Sequence, residues 1–267
     1  MAIITLLTDF GQESFFPAAM KGVIIGICPQ ARIVDITHAV PEHDVAAGSY
    51  ALYATYRHFP PGTIHVGVVD PGVGSPRSIV AVQMHGYIFL TPDNGLLSFL
   101  LKSSTPDRIF AVENRELWAE KVSPTFHGRD VFAPVAAHLA NGMPLAKVGP
   151  ERNSLVRLDI PSARTTERGI VGEIVSVDRF GNLVTNIHAD ALPESAQQRA
   201  RLTVKISGRS IGGIHSTYAE VGLGELVAYV GSSDLVEIGR NRGSARDVLG
   251  AGVGHSLKVV FGQHDGK

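Results

Sequence analysis

Between residues 3 and 139, short apolar runs alternate with segments of helical character, and beyond about Arg164 that alternation stops. The run Ile3–Thr8 has the pattern of a buried strand and ends at Asp9-Phe10-Gly11. Residues 17–27 carry the small and apolar side chains of a helix, which Pro29 ends. Residues 32–36 give a second strand, and Asp44 caps a helix expected to run through Arg57. Residues 64–69 form a third strand, nearly all apolar, as strands buried on both faces of a parallel sheet are. Ile79–Met84 and residues 87–90 follow as strands across a His85-Gly86 turn, and 96–101 and 131–139 read as further helices. This order predicts a layered α/β domain.

After Arg164, β-branched stretches take over at 170–177, 183–187, 202–206, Leu226–Val230, 235–238 and 257–261, separated by glycines and polar turns. Short strands at this spacing suggest a small barrel or sandwich. The stretch 149–168 holds Pro150, Pro161 and many polar residues and reads as the linker. The expected domains are therefore 1–160 and 161–267, and a chain of 267 residues is long enough for both.

A hydrophobic share of 44% against 18% charged residues suits filled cores and argues against disorder. A formal net charge of -1 leaves no basic footprint for nucleic acid, and no lysine-rich run offers itself to a membrane surface. No apolar run approaches the ~20 residues of a membrane helix. The apolar start lacks a basic n-region and meets Asp9 at once, unlike a signal peptide. The single cysteine, Cys28, lies in an apolar run and can form no internal disulfide, so a buried, inert thiol in a reducing compartment is expected. A soluble cytoplasmic protein, bound to neither nucleic acid nor membrane, is the expectation.

Polar clusters follow the predicted strand ends, where parallel α/β sheets build their sites. Asp70-Pro71-Gly72-Val73-Gly74-Ser75-Pro76-Arg77 sets a carboxylate, two glycines and an arginine within one short loop. The glycines allow Arg77 to fold back toward Asp70, either as a functional pair or as an ion pair bracing the loop. No Gly-Lys-Ser/Thr follows, so this is not a phosphate-binding P-loop. His127 and Asp130 lie before a helix, without the paired-histidine spacing of a zinc enzyme, and no metal site is expected. Asp178-Arg179-Phe180-Gly181-Asn182, and the segment from Gly231 to Gly243, read first as turns between strands.

Taken in order, Leu7-Thr8-Asp9-Phe10-Gly11, Val69-Asp70-Pro71-Gly72-Val73-Gly74, Pro92-Asp93-Asn94-Gly95-Leu96-Leu97, Thr125-Phe126-His127-Gly128-Arg129-Asp130 and Asp178-Arg179-Phe180-Gly181-Asn182 resemble the SAM hydroxide adenosyltransferases. These are adenosine-forming S-adenosyl-L-methionine hydrolases, related to enzymes that attack the same substrate with halide. The resemblance spans nearly the whole chain. It implies an N-terminal α/β domain, a C-terminal β-barrel, and a homotrimer whose sites lie between one subunit's N-terminal domain and a neighbour's C-terminal domain. It implies S-adenosyl-L-methionine as substrate, with adenosine and L-methionine as products and no cofactor. Asp70, Arg77 and His127 match the residues that hold the attacking water. Asp9 matches a ribose contact, Asp178 a contact to the methionine amine, Asn182 an adenine contact and Tyr218 an aromatic beside the nucleoside. Ser232 matches a methionine-carboxylate contact, and Arg242 lies near the adenine edge.

The halogenating relatives carry an aromatic where this chain has Asp70, which places the chain on the water-using side. The alternatives are a halogenase and a non-catalytic trimer that binds S-adenosyl-L-methionine or a nucleoside. Ser14 stands where many members have an aspartate near the methionine amine, and His43 where the halogenases have tryptophan.

Overall fold

The computed structural model describes residues 2–261. The chain divides into two compact units at Ile160/Pro161. The first is a mixed α/β unit around one seven-stranded sheet. Its strands are β1 (Ile3–Thr8), β2 (Arg32–Thr37), β3 (Ile64–Val68), β4 (Ile79–Met84), β5 (Tyr87–Pro92), β6 (Arg108–Ala111) and β7 (Glu151–Arg152), in spatial order β2-β1-β3-β5-β4-β6-β7. The β2-β1-β3-β5 portion is parallel, and β4, β6 and β7 extend it antiparallel.

Alternation along the strands sorts the two faces. Ile4, Leu6, Val66 and Val68 join Met20 and Ile24 of helix α1 (Phe16–Ile27) and Val135 and Leu139 of helix α3 (Ala133–Ala140) in one core. Burying Met20 and Ile24 stabilises this packing by roughly 1.5–3 kcal/mol per side chain. On the other face, Tyr56, just after helix α2 (Val45–Thr55), meets His65 and Phe89 edge-on. There His65 Nδ1 and Thr5 Oγ1 lie 2.8 Å apart in neighbouring strands. Asp44 caps α2 by accepting from the Ala47 amide at 2.9 Å, as expected, but the α-helix stops at Thr55 and gives way to a tighter turn, Tyr56–His58. The β4–β5 turn sets both His85 (φ 54) and Gly86 (φ 78) left-handed, the geometry that joins twisted antiparallel strands tightly.

One expected element is absent. Residues 96–101 are not a helix. Gly95 at φ 96 turns the chain, Asn94 Oδ1 takes the Leu96 amide, and only a short turn, Leu100–Lys102, follows. The two units divide within the expected linker 149–168, whose only regular elements are the short strands at Glu151–Arg152 and Arg164–Thr166, and its first part is fastened to the α/β unit. Arg152 pairs with Ile109 in the sheet, the Val156 amide donates to Asp93, and the Leu158 amide donates to Ser98. Cys28 is fully buried.

The second unit holds the antiparallel strands β8 (Arg164–Thr166), β9 (Gly169–Val177), β10 (Leu183–His188), β11 (Thr203–Ile206), β12 (Arg209–Gly212), β13 (Leu226–Val230), β14 (Leu235–Arg240) and β15 (Ser256–Val260). The order is β12-β11-β15-β9-β10-β14-β13, with β8 on β9. Just beyond β12, the His215 amide donates to the Ala228 carbonyl of β13 at 2.8 Å, so the sheet nearly closes on itself. Ile174, Leu183, Val204, Val236, Ile238 and Leu257 fill its interior. Two short helices, α4 (Ala196–Ala200) and α5 (Ala245–Leu249), lie outside the strand pattern and were not expected.

Candidate active site

In the α/β unit, the end of β3 delivers Asp70 into a loop that doubles back at once. The Val73 amide donates to the Asp70 carbonyl and the Ser75 amide to that of Gly72, giving two successive turns. Gly74 sits at φ 78, where a Cβ would come within 2.5 Å of the Pro124 carbonyl oxygen. Only glycine allows this loop to lie so close to the segment that carries His127. Arg77 thereby meets Asp70 through two bonds, Nε to Oδ1 at 2.8 Å and Nη2 to Oδ2. The side chains of Asp70 and Arg77 are only 4% and 11% exposed, so the bidentate pair is shielded from water.

Arg77 Nη2 also lies 3.0 Å from His127 Nδ1. A guanidinium has donors only, so Nδ1 accepts, which makes His127 a neutral imidazole with its proton on Nε2. Burial, and then the Arg77 charge, hold its pKa below the ordinary 6.5, consistent with that neutral form. The lone pairs of Asp70 that Arg77 does not use remain acceptors, and Nε2–H of His127 remains a donor. Arg77 and His127 also line a cleft of about 640 Å³, together with Arg115, Trp118 and Val122.

The surrounding motifs brace this trio. Asn94 Nδ2 donates to the Val69 carbonyl at 2.8 Å, fixing the residue before Asp70. Asp93 holds Arg152 and the Val156 amide. Asp130 is gripped by Arg129 and by the Ser123 amide, tying down the stretch before His127. A π turn, Gly128–Phe132, follows His127 and leads into α3. Around Gly128, Phe10 and Phe126 meet edge-on, and a Cβ there would stand 3.2 Å from Met20 Sδ and 3.3 Å from each ring. Asp9, beside Phe10, accepts the His43 amide at 3.0 Å, with His43 in a left-handed conformation. Ser14 Oγ accepts the Phe16 amide and so serves the start of α1.

In the β unit, the Asp178–Asn182 loop joins β9 to β10. Asp178 Oδ1 accepts the amides of Phe180 and Asn182, each at 2.8 Å, and Oδ2 accepts Asn182 Nδ2 at 2.7 Å. Asn182 Oδ1 and the Tyr218 ring converge over Gly239, where a Cβ would meet them at 2.9 and 2.7 Å. Ser232, in the β13–β14 turn, and Arg242, after β14 at φ 57, are exposed. The structure thus brings Asp70, Arg77 and His127 together in one unit, with Asp9 on a separate loop. It brings Asp178, Asn182 and Tyr218 together in the other.

The sequence reading missed Tyr229 and Glu237, which hydrogen-bond in line behind Tyr218. The available signal was Gly239, an isolated glycine inside a strand pattern, which marks a close approach. The aromatic group of Phe10, Phe16 and Phe126 was also missed, although all three rings are in mutual contact.

Comparison with known proteins follows this division of the chain. Residues 4–149 match the model of the SAM hydroxide adenosyltransferase N-terminal domain, and residues 172–258 that of the C-terminal domain. An (R)-S-adenosyl-L-methionine hydrolase of Salinispora tropica is 38% identical over 97% of this chain and 98% of its own length. One from Thermus thermophilus is 36% identical over 97% of this chain and all (100%) of its own. A fluorinase of Nocardia brasiliensis is 28% identical, over 97% of each chain. The crystal structure of an uncharacterized conserved protein from Thermotoga maritima superposes with a TM-score of 0.91 at 36% identity, covering 96% of this chain and 99% of that one. With both domains matched in order and hydrolases aligned end to end, the chain belongs to the SAM hydroxide adenosyltransferase family.

Proposed function

We propose that this protein hydrolyses S-adenosyl-L-methionine to adenosine and L-methionine, and that Asp70, Arg77 and His127 hold the attacking water. The observation that carries this reading is the shielded Asp70–Arg77–His127 arrangement, with one acceptor group and one donor left over. A water oriented by it donates a proton toward Asp70 and accepts from His127 Nε2–H, which leaves one oxygen lone pair for attack. The new bond joins that oxygen to the ribose C5′, and the C5′–S bond breaks. Its electron pair neutralises the sulfonium, so methionine leaves as a neutral thioether and needs no acid. His127 does not take the proton in this state, because its basic nitrogen is occupied by Arg77. Asp70 is the acceptor, with solvent as the final sink. Alignment of this kind supplies several kcal/mol of the barrier reduction. The Asp70 anion repels halide, which supports water as nucleophile.

The supporting assignments are Asp9 for the ribose hydroxyls, Asp178 for the methionine amine, Asn182 and the Arg242 backbone for adenine, Tyr218 beside the nucleoside, and Ser232 for the methionine carboxylate. We propose a cytoplasmic homotrimer in which the β barrel of one subunit completes the site on the α/β unit of the next. Residues 1–160 carry the water-holding group and Asp9, and 161–267 the remaining ligand contacts. Among the described residues no helix is long and apolar enough to cross a membrane. Nor does any group of three or more His, Cys, Asp or Glu side chains there stand ready to hold a metal ion, and the reaction is proposed to need none.

The test is incubation with each sulfonium epimer, the (R) form named in the hydrolase relatives first, followed by chromatography for adenosine. Turnover in oxygen-18 water places the label on the 5′-oxygen. Asp70→Asn keeps the shape but loses the charge, and kcat is expected to fall roughly 10²–10⁴-fold with little change in substrate affinity. Unlabelled adenosine, or near-native kcat in Asp70→Asn, overturns the mechanism. Halide-dependent product indicates a halogenase instead.

A further inference from the structure

Behind Tyr218 runs a chain of hydrogen bonds to which no ligand contact has been assigned. Tyr218 Oη lies 2.5 Å from Tyr229 Oη, and Tyr229 donates to Glu237 Oε2 at 2.7 Å. Tyr229 is buried, and Glu237 is partly so. The Glu237 carboxyl lies over Gly231, where any Cβ would collide with it, and Gly231 directly precedes Ser232. Gly239 makes room on the same strand for Tyr218, for Asn182 Oδ1 and for the Tyr229 ring. Two glycines of the β13–β14 hairpin are therefore given over to seating this chain, which is more than strand packing alone requires.

The chain has a direction. A phenol has one proton, and Tyr229 spends its own on Glu237. Tyr218 must then donate inward to the Tyr229 oxygen. Its own oxygen is then left with lone pairs only, and its ring is seated over Gly239. Burial first, and the bonds to Tyr218 and Glu237 next, push the Tyr229 phenol far above its ordinary pKa, so it stays protonated. Burial also pushes the Glu237 carboxyl up, with Asp178 adding to this and the Tyr229 bond opposing it.

We infer that Tyr229 and Glu237 are positioning residues that lock Tyr218 as a hydrogen-bond acceptor and thereby select a nucleoside bearing a donor, an amino or hydroxyl group, at that point. This rests on the proposed function for the identity of the ligand, but the chain itself does not depend on turnover. Its effect is on binding, because the water-holding residues lie in the other unit.

The experiment uses the full-length protein and the variants Tyr229→Phe, Tyr218→Phe, their double, Glu237→Leu and Glu237→Gln. For each, adenosine dissociation is measured by calorimetry, KM and kcat with S-adenosyl-L-methionine, and melting temperature. Loss of a coupled hydrogen bond predicts about three- to tenfold weaker adenosine binding and an equal rise in KM for Tyr229→Phe and Glu237→Leu, with kcat within about twofold. The Tyr218→Phe/Tyr229→Phe double should be no worse than the poorer single, since both cut one chain. Glu237→Gln keeps a carbonyl acceptor for Tyr229 and should rescue binding to near the native value. The inference is overturned if Tyr229→Phe binds adenosine as the native protein does, or if kcat and melting temperature fall together while KM holds. It also falls if Glu237→Gln behaves as Glu237→Leu. A native protein that binds adenosine but releases none from S-adenosyl-L-methionine refutes the hydrolase reading, and the adenosine series still decides the relay. A native protein that binds no adenosine refutes the relay, while adenosine formation from S-adenosyl-L-methionine still decides the hydrolase reading.

Discussion

Acidification is expected to destabilise the α/β unit through one histidine. His65 is fully buried among the rings of Phe59, Tyr87 and Phe89, at 5.2–5.5 Å between centroids. Thr5 satisfies Nδ1, but among the described residues Nε2 has no hydrogen-bond partner. A second ring proton would therefore be a buried donor on a buried charge, and burial lowers the pKa from 6.5 to about 4. The unfolded chain binds this proton near 6.5 and the folded chain only near 4, so between those values the unfolded state holds more protons. Stability there rises with pH. The contribution is complete above 6.5 and is lost as pH falls toward 4. At about 1.4 kcal/mol for each pH unit between those limits, the loss comes to about 3 kcal/mol. Urea unfolding from about pH 7.5 to about pH 4 measures it, with His65→Gln as reference. Glutamine keeps a polar partner for Thr5 and does not titrate, so other histidines and carboxylates cancel in the difference. The native protein should lose more stability than the variant over that window. Parallel stability curves for the two proteins would refute the reasoning.

Gly74→Ala places a Cβ against the Pro124 carbonyl on a left-handed backbone, a strain costing about 1–3 kcal/mol. Adenosine release should fall at least about tenfold, and unchanged turnover would show that the loop is not held there. Because burial and Arg77 keep the His127 pKa below 6.5, neutral His127 persists through neutral pH, and the acid limb of the kcat profile should lie below 6.5. An acid limb above 6.5, abolished in His127→Asn, contradicts the assigned tautomer. If neighbouring subunits complete each site, mixing Asp70→Ala with Asn182→Ala protein and allowing exchange should restore part of the activity lost in each. A fully active monomer in sedimentation would end that idea.

Much of the fold was legible because burial writes itself into local pattern. Leu226–Val230 is a strand at both ends as read, and the Asp44 cap is in place. What failed was local pattern without burial on a regular face. Residues 96–101 are apolar because they plug gaps beside Gly48 and Gly67, with Leu96 Cδ atoms filling both, and not because they line a helix. β12, Arg209–Gly212, is a largely exposed, polar edge and gave no apolar signal. At the site, Asp70 and Arg77 lie seven residues apart across a glycine turn, and their pairing is readable. His127 lies 50 residues beyond Arg77 in sequence, so only the family resemblance brought it in. Tyr229 and Glu237 sit in strands where alternating polar residues ordinarily face solvent, and nothing in their spacing marks a relay.

The π turn after His127 has a consequence in evolutionary currency. Such a turn holds one residue more than a regular helix does, at the expense of hydrogen-bond geometry. It therefore has the form of a one-residue insertion at the mouth of α3, and excising a residue would let Gly128–Phe132 wind into the helix that follows. The shortened helix would be the better-formed one. It would also swing its first residue by roughly a quarter-turn, the ~100° step of a 3.6-residue helix, and carry His127 off Arg77. By this geometry the contact between His127 and Arg77 depends on the extra residue. The length of this one segment, more than its composition, is where loss of the activity would first become visible.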